Sequence, residues 1–181
     1  MPRPASEVLV RVAREDEYDA VGALTVAGYD ADGYLTFDDG RHDHAYAAWL
    51  ADAAARGRGD VLLVATLEDR LVGTVTWCPY GSASAQLAIA AHQGELRTLA
   101  VDPAARGRGA GRALVDACLG RALDAGLTEV LLCSLVDMLP AHRLYTSMGF
   151  VRRPELDWSP EPEVRLLGFS RDPRVDRGSR S

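Results

Sequence analysis

The chain has 181 residues, of which 48% are hydrophobic and 25% charged, with a net charge of −6. That is the composition of a soluble globular domain with enough interior for a real core. The acidity excludes general affinity for nucleic acid, which needs a basic field, and because all 20 basic residues are arginine no catalytic lysine is available.

The N-terminal stretch MPRPASEVLVRV lacks the long apolar core of a signal peptide, and no apolar run is long enough to span a membrane. A cytoplasmic protein without membrane contact is therefore expected. In EVLVRV, Val8, Val10 and Val12 alternate as on one face of a strand. Residues 15–28 read as a helix whose acidic first turn suits the helix dipole. The polar stretch YDADGYLTFDDGRHDH leads to a second helix over residues 43–56. DVLLVATLEDRLVGTVTWC reads as two strands joined by a tight turn around residues 68–70. Residues 79–93 read as a loop and ELRTLAV as a fourth strand. Residues 110–125 form an amphipathic helix ended by Gly126. EVLLCSL is a fifth strand, residues 140–148 a short helix stopped by Gly149, and EVRLLGF the last strand. Residues 1–170 are expected to form a single domain, and the polar, aperiodic residues 171–181 a disordered tail.

The five residues ARGRG occur twice, at positions 55–59 and 105–109. The first copy follows a helix and precedes a strand, so Gly57 or Gly59 is expected to supply the left-handed residue that ends the helix. The second copy follows a strand and opens a helix. There the free N–H groups and the positive end of the dipole converge, and Gly107, Gly109 and Gly111 let a large anion reach the backbone. The second copy is the expected anion site. A Walker loop is excluded by the absence of lysine. A dinucleotide fingerprint fails because Arg112 stands where a third glycine is required and the loop follows the fourth strand, not the first.

What remains is R-x-x-G-x-G over residues 106–111, after a strand ending LAVDP. This resembles the acetyl-CoA loop, Q/R-x-x-G-x-G/A, of the GCN5-related N-acetyltransferase family. AHRLYTSMGF also resembles that family's second motif, A-x-x-L-Y-x-x-x-G-F, at Ala141, Leu144, Tyr145, Gly149 and Phe150. The order of elements from about residue 7 to 169 is similar as well. The resemblance implies a mixed α/β fold: a sheet of about six or seven strands with about four helices, in which a splayed parallel pair receives acetyl-CoA.

It also implies residue roles. The backbone of Arg106, Gly107, Arg108, Gly109, Ala110 and Gly111 would hold the pyrophosphate of acetyl-CoA. Leu99, Ala100 and Val101 would pair with the pantetheine arm as an added strand does, and an N–H near Leu99 or Ala100 would polarise the thioester carbonyl. Tyr145 would protonate the leaving thiolate, its bland alternative being a core aromatic. An acceptor amine of pKa near 10.4 costs about 4.6 kcal/mol to deprotonate at pH 7. A general base is therefore useful, and the resemblance implies Glu95, because many relatives carry a glutamate base on the fourth strand; its alternative is a surface carboxylate paired with Arg97. Period-two alternation would put Glu95, Arg97 and Leu99 on one face, and Ser134 is a weaker candidate for holding a water.

The family pattern often has asparagine where this chain has Met138, which puts one cofactor contact in doubt. No metal is expected: the HDH at His42–His44 sits at a helix start, and the three cysteines are scattered. The stretch 29–43 carries Asp30, Asp32, Asp38, Asp39 and Asp43 with Tyr29, Tyr34 and Phe37. It reads either as a rim for a cationic amine or as a solvated loop. The expected partner is a small-molecule or peptide amine, with no nucleic acid or membrane and with room for a homodimer. The competing class is a catalytically silent acyl-CoA-binding or regulatory domain of the same fold.

Overall fold

A computed structural model describes residues 7–175. The described residues form two compact units, one of residues 7–77 and 98–117, the other of residues 78–97 and 118–175. Among the described residues, eight strands form a mostly antiparallel mixed sheet, accompanied by five α-helices. No helix among them is long and apolar enough to cross a membrane.

The first unit carries β1 (Leu9–Val12), α1 (Tyr18–Asp30), α2 (His44–Ala51), α3 (Ala53–Gly59), β2 (Val61–Leu67) and β3 (Arg70–Pro79) up to Trp77. It also takes the last residues of β4 (Gln93–Val101) and the first half of α4 (Ala110–Asp124). β2 is apolar except for Thr66 and buried on both faces, as strands covered on both sides are. It lies between β1 and β3, antiparallel to each. The expected hairpin turns through Glu68 and Asp69, both left-handed at φ 51° and 61°. Two such residues match the twist of the flanking strands.

The single helix expected over 43–56 is two helices. Asp52 breaks it at ψ 67°, and its carboxylate caps α3 by accepting from the Ala55 amide at 2.9 Å. This changes the meaning of the first ARGRG copy. Neither Gly57 nor Gly59 is left-handed, and both lie inside α3. Gly57 is required by proximity: a Cβ there would stand 2.5 Å from the Tyr18 ring. Arg56 is buried and donates to the carbonyls of Trp49 at 3.1 Å and Leu50 at 2.8 Å. The first copy therefore caps the C-terminal end of α2 within its own chain, where carbonyl oxygens favour a cation. Arg56→Ala is expected to lower unfolding free energy by about 2–4 kcal/mol, from lost charge-assisted bonds and orphaned carbonyls. Arg58→Ala, at an exposed position of the same copy, should stay within about 0.5 kcal/mol. Denaturant unfolding of the two variants checks this.

The second unit contains β4 from Gln93 to Arg97, the last half of α4, β5 (Glu129–Leu135), α5 (Leu139–Ser147), β6 (Val151–Arg152), β7 (Trp158–Glu161) and β8 (Val164–Arg171). β5 is antiparallel to β8 over Val130–Leu135, and β6 and β7 both pair with β8. Left-handed Gly126 and Gly149 follow α4 and α5 as expected. β6 and β7, of two and four residues, are too short to show a period. They and the split helix account for the larger number of elements than expected.

The chain beyond residue 170 begins as structure, not as tail. β8 runs through Arg171, whose buried guanidinium donates to the Met148 carbonyl and, at 2.9 Å, to that of Val175. Residues 176–181 of the expected tail lie outside the described residues.

Candidate active site

In the first unit, β4 is followed by a short turn in which the Asp102 carboxylate accepts from the Ala104 amide at 2.9 Å. Gly107 and Gly109 are left-handed, at φ 77° and 88°. A Cβ at either would meet nothing within 4 Å, so it is backbone conformation that requires glycine, and the space before both residues is open. Gly109 begins the helix, its carbonyl accepting from Ala113 at 3.0 Å. The amides of the first turn after it have no intrahelical acceptor. Left-handed glycines leading into a helix dipole, with open space in front, fit the pyrophosphate of an acyl-CoA. Gly111 lies in α4 without left-handed geometry, so two glycines of the motif shape the loop and not three. The Ala110 side chain is buried, which leaves only its backbone for a ligand.

The Arg106 side chain turns away from this loop. It donates to Asp32 Oδ1 at 2.8 Å and to the Gly28 carbonyl at 3.2 Å, tying the loop to the C-terminal end of α1. The acidic stretch is thus largely engaged. Asp30 lies 3.4 Å from His42, Asp39 pairs with Arg41 at 2.5 Å, and Asp43 caps α2 at the Tyr46 amide. Neutralising Asp32 would therefore disturb the anion loop as well as any rim. His42 and Asp43 are occupied at the start of α2, as the helix-start reading of HDH expects.

In β4, Leu99 and Val101 are half-buried and Ala100 is buried. Thr98 between them and Arg97 is left-handed at φ 51°, which interrupts the pleat. The period-two argument that placed Glu95, Arg97 and Leu99 on one face therefore ends at Arg97. β4 pairs with β5 in parallel only over Gln93–Glu95 against Glu129–Leu131, although β4 runs on to Val101 and β5 to Leu135.

In the second unit Glu95 is fully buried, which removes the surface reading. Its Oε2 accepts from the amides of Gln86 and Leu87, each at 2.7 Å, and from Ala88 at 3.4 Å. Its Oε1 has no hydrogen-bond partner, and the Arg97 Nε stands 3.7 Å away. Arg97 also donates to the Ser84 carbonyl at 2.6 Å. Glu95 and Arg97 together fasten the loop before β4, a job that its residue type alone does not announce.

Tyr145, on α5, is 5% exposed. Its ring lies 5.9 Å from that of Phe150 and 6.0 Å from that of Phe169. Burial pushes its pKa above the usual phenol range, so the hydroxyl keeps its proton at neutral pH. Burial likewise raises the Cys133 thiol, which disfavours an acyl-cysteine. Ser134 donates to Met138 Sδ at 3.4 Å, so its hydroxyl is spent on the side chain that replaces the family's asparagine.

A family model described as Acetyltransferase (GNAT) family matches residues 31–150. A mycothiol acetyltransferase of Nocardiopsis dassonvillei is 32% identical over 174 residues, covering 90% of this chain and 50% of the relative. One from Actinosynnema mirum is 33% identical over 138 residues, covering 76% and 41%. The chain thus spans half or less of the length of these curated relatives. A GCN5-related N-acetyltransferase from Rhodopseudomonas palustris shares the fold at TM-score 0.69, with 19% identity and coverage of 94% of this chain and 98% of that one. A structure from Salmonella typhimurium, solved with its cofactor acetyl-CoA, matches at TM-score 0.63 and 18% identity, covering 94% and 96%.

Proposed function

The chain belongs to the GNAT acetyltransferase family, and from that premise we propose that it moves the acetyl group of acetyl-CoA onto a primary amine by direct attack in a ternary complex. The observation that carries this reading is the loop of residues 106–111, with left-handed Gly107 and Gly109 opening α4 and free space before both. The amides of this loop take the pyrophosphate. The backbone of Leu99–Val101 takes the pantetheine arm, and the N–H of Leu99 or Ala100 polarises the thioester carbonyl. Tyr145, neutral and desolvated, donates to the sulfur as the C–S bond breaks. Glu95 accepts the amine proton through water at Oε1, which has no hydrogen-bond partner and lies 3.7 Å from the Arg97 Nε. The protein is proposed to act as one domain over residues 1–170 and in the cytoplasm.

Glu95→Gln keeps an acceptor for the amides of Gln86 and Leu87 but removes the base. It should lower kcat about 10²-fold, the low end for a positioned base, and lower Tm less than Glu95→Ala does, since only the ion pair with Arg97 is lost. Glu95→Ala should lower Tm further, because the amides of Gln86, Leu87 and Ala88 lose their acceptor as well. Steady-state kinetics beside thermal melts separates the two effects. An unaltered kcat in Glu95→Gln would leave Glu95 as a fastener of the loop alone.

The acceptor is tested by release of CoA thiol across an amine panel, beginning with mycothiol-related amines because of the relatives' name. Turnover with any amine supports the enzyme. Tight acetyl-CoA binding without turnover favours the silent acyl-CoA-binding domain, a reading to which the Ser134–Met138 contact lends some weight.

A further inference from the structure

We infer that Thr76 is a positioning residue: its hydroxyl holds Thr98 in a left-handed conformation, and that conformation aims the Leu99–Ala100 backbone at the acyl-CoA. The inference rests on the acetyl-CoA reading above and adds to it a residue outside both motifs.

A left-handed β-branched residue is a genuine outlier, because its branched Cβ crowds the backbone. Thr98 adopts φ 51° inside a strand, where threonine's own preference is extended. Such a state persists only where the surroundings over-determine it. Here they do. The Thr76 and Thr98 hydroxyls lie 2.7 Å apart, and both residues are buried. Just beyond, the Asp102 amide donates to the Val72 carbonyl at 2.9 Å. Gly73 approaches Ala100 so closely that a Cβ on it would lie 3.2 Å from the Ala100 oxygen, and one on Gly28 would lie 3.3 Å from the Ala100 Cβ. The strand is thus held by its pairing with β3 and by close packing around Ala100 and Asp102, and at Thr98 the hydroxyl of Thr76 adds a side-chain contact.

The consequence follows from strand geometry. A left-handed residue turns the peptide groups after it out of the regular pleat. Those groups are the amides of Leu99 and Ala100, beyond the point where pairing of β4 with β5 ends at Glu95. Without the Thr76 hydroxyl, Thr98 gains by relaxing toward extended backbone, and the two amides rotate with it.

Thr76→Val is nearly isosteric and removes only the hydroxyl. It should weaken acetyl-CoA binding about tenfold, roughly the factor carried by one well-made hydrogen bond. Thr76→Ser should restore wild-type affinity. Thr98→Gly lacks the hydroxyl pair but adopts the left-handed state freely, so its affinity should stay within about twofold of wild type. Thr76→Val and Thr98→Gly both lose the pair, so both should melt at lower temperature. A pair that served stability alone would leave the calorimetric Kd of both unchanged. Wild-type binding with an unchanged Kd in Thr76→Val, or an equal loss in Thr98→Gly, overturns the positioning role. Absence of wild-type binding overturns the cofactor reading, and the positioning role with it. The lock is then still visible without ligand, as amide resonances of Leu99 and Ala100 that move in Thr76→Val and stay in Thr98→Gly.

Discussion

Tyr145→Phe is expected to lower kcat by roughly 10²–10⁴-fold and to leave acetyl-CoA affinity within about twofold. The ring stays, and with it the contacts to Phe150 and Phe169, so only the proton donor is lost. Magnitudes favour the lower part of that range. A free thiol has a pKa of about 8.5, and burial holds the Tyr145 phenol above its ordinary value. Complete transfer of the proton to a thiolate is therefore uphill. What the phenol offers is a hydrogen bond that strengthens as charge gathers on sulfur, worth about 1.5–3 kcal/mol. That corresponds to a rate factor of roughly 10–150, so a loss near 10² indicates a hydrogen bond and one near 10⁴ a completed transfer. Single-turnover kinetics with a good acceptor isolates the chemical step. An unchanged chemical rate would remove Tyr145 from the mechanism and leave it a core aromatic.

Gly109→Glu should abolish measurable acetyl-CoA binding, and Gly59→Glu should leave it nearly intact. Two effects act together at residue 109. Any L side chain there must adopt φ 88°, at a cost of about 1–3 kcal/mol, and a carboxylate then sits where the pyrophosphate is proposed to bind. Gly109→Ala carries the strain without the charge, and should weaken binding by about tenfold, the equivalent of 1.4 kcal/mol. The gap between the two substitutions measures the anion site itself. Gly59 is exposed at the end of α3 with no left-handed requirement, so a glutamate there costs only a few tenths of a kcal/mol through the helix dipole. Calorimetric titration of the three variants decides the matter. Equal losses at 59 and 109 would sink the assignment of the second copy as the anion site.

The two copies show where sequence reasoning holds and where it stops. The loop over 106–111, the turn at Glu68–Asp69 and the glycines after α4 and α5 were all legible. Each depends on a backbone conformation fixed by neighbours within a few residues, and glycine or a short polar residue announces it. The individual strands and helices long enough to show a period were legible too, whereas the mixed α/β class came from the family resemblance that their order and the two motifs carry. Identical letters at 55–59 misled because their role depends on Tyr18 and on the carbonyls of Trp49 and Leu50, not on local turn chemistry.

Other parts were decided only by tertiary structure. Glu95 could be read as base or surface carboxylate, but not as the acceptor for amides at 86–88, because a carboxylate carries no mark of which loop will fold over it. Arg106 and Asp32 meet across 74 positions of sequence, a contact that ties the 106–111 loop to the acidic stretch and that no local pattern announces. Arg171 belongs to β8 through the carbonyls of Met148 and Val175, against a composition that read as tail. Thr98 is the clearest case, since nothing in ELRTLAV marks its fourth residue as left-handed. A propensity window records what a threonine prefers alone; the Thr76 hydroxyl, 22 residues earlier, supplies the contact that overrides that preference, and such a contact exists only once the strands have been brought together.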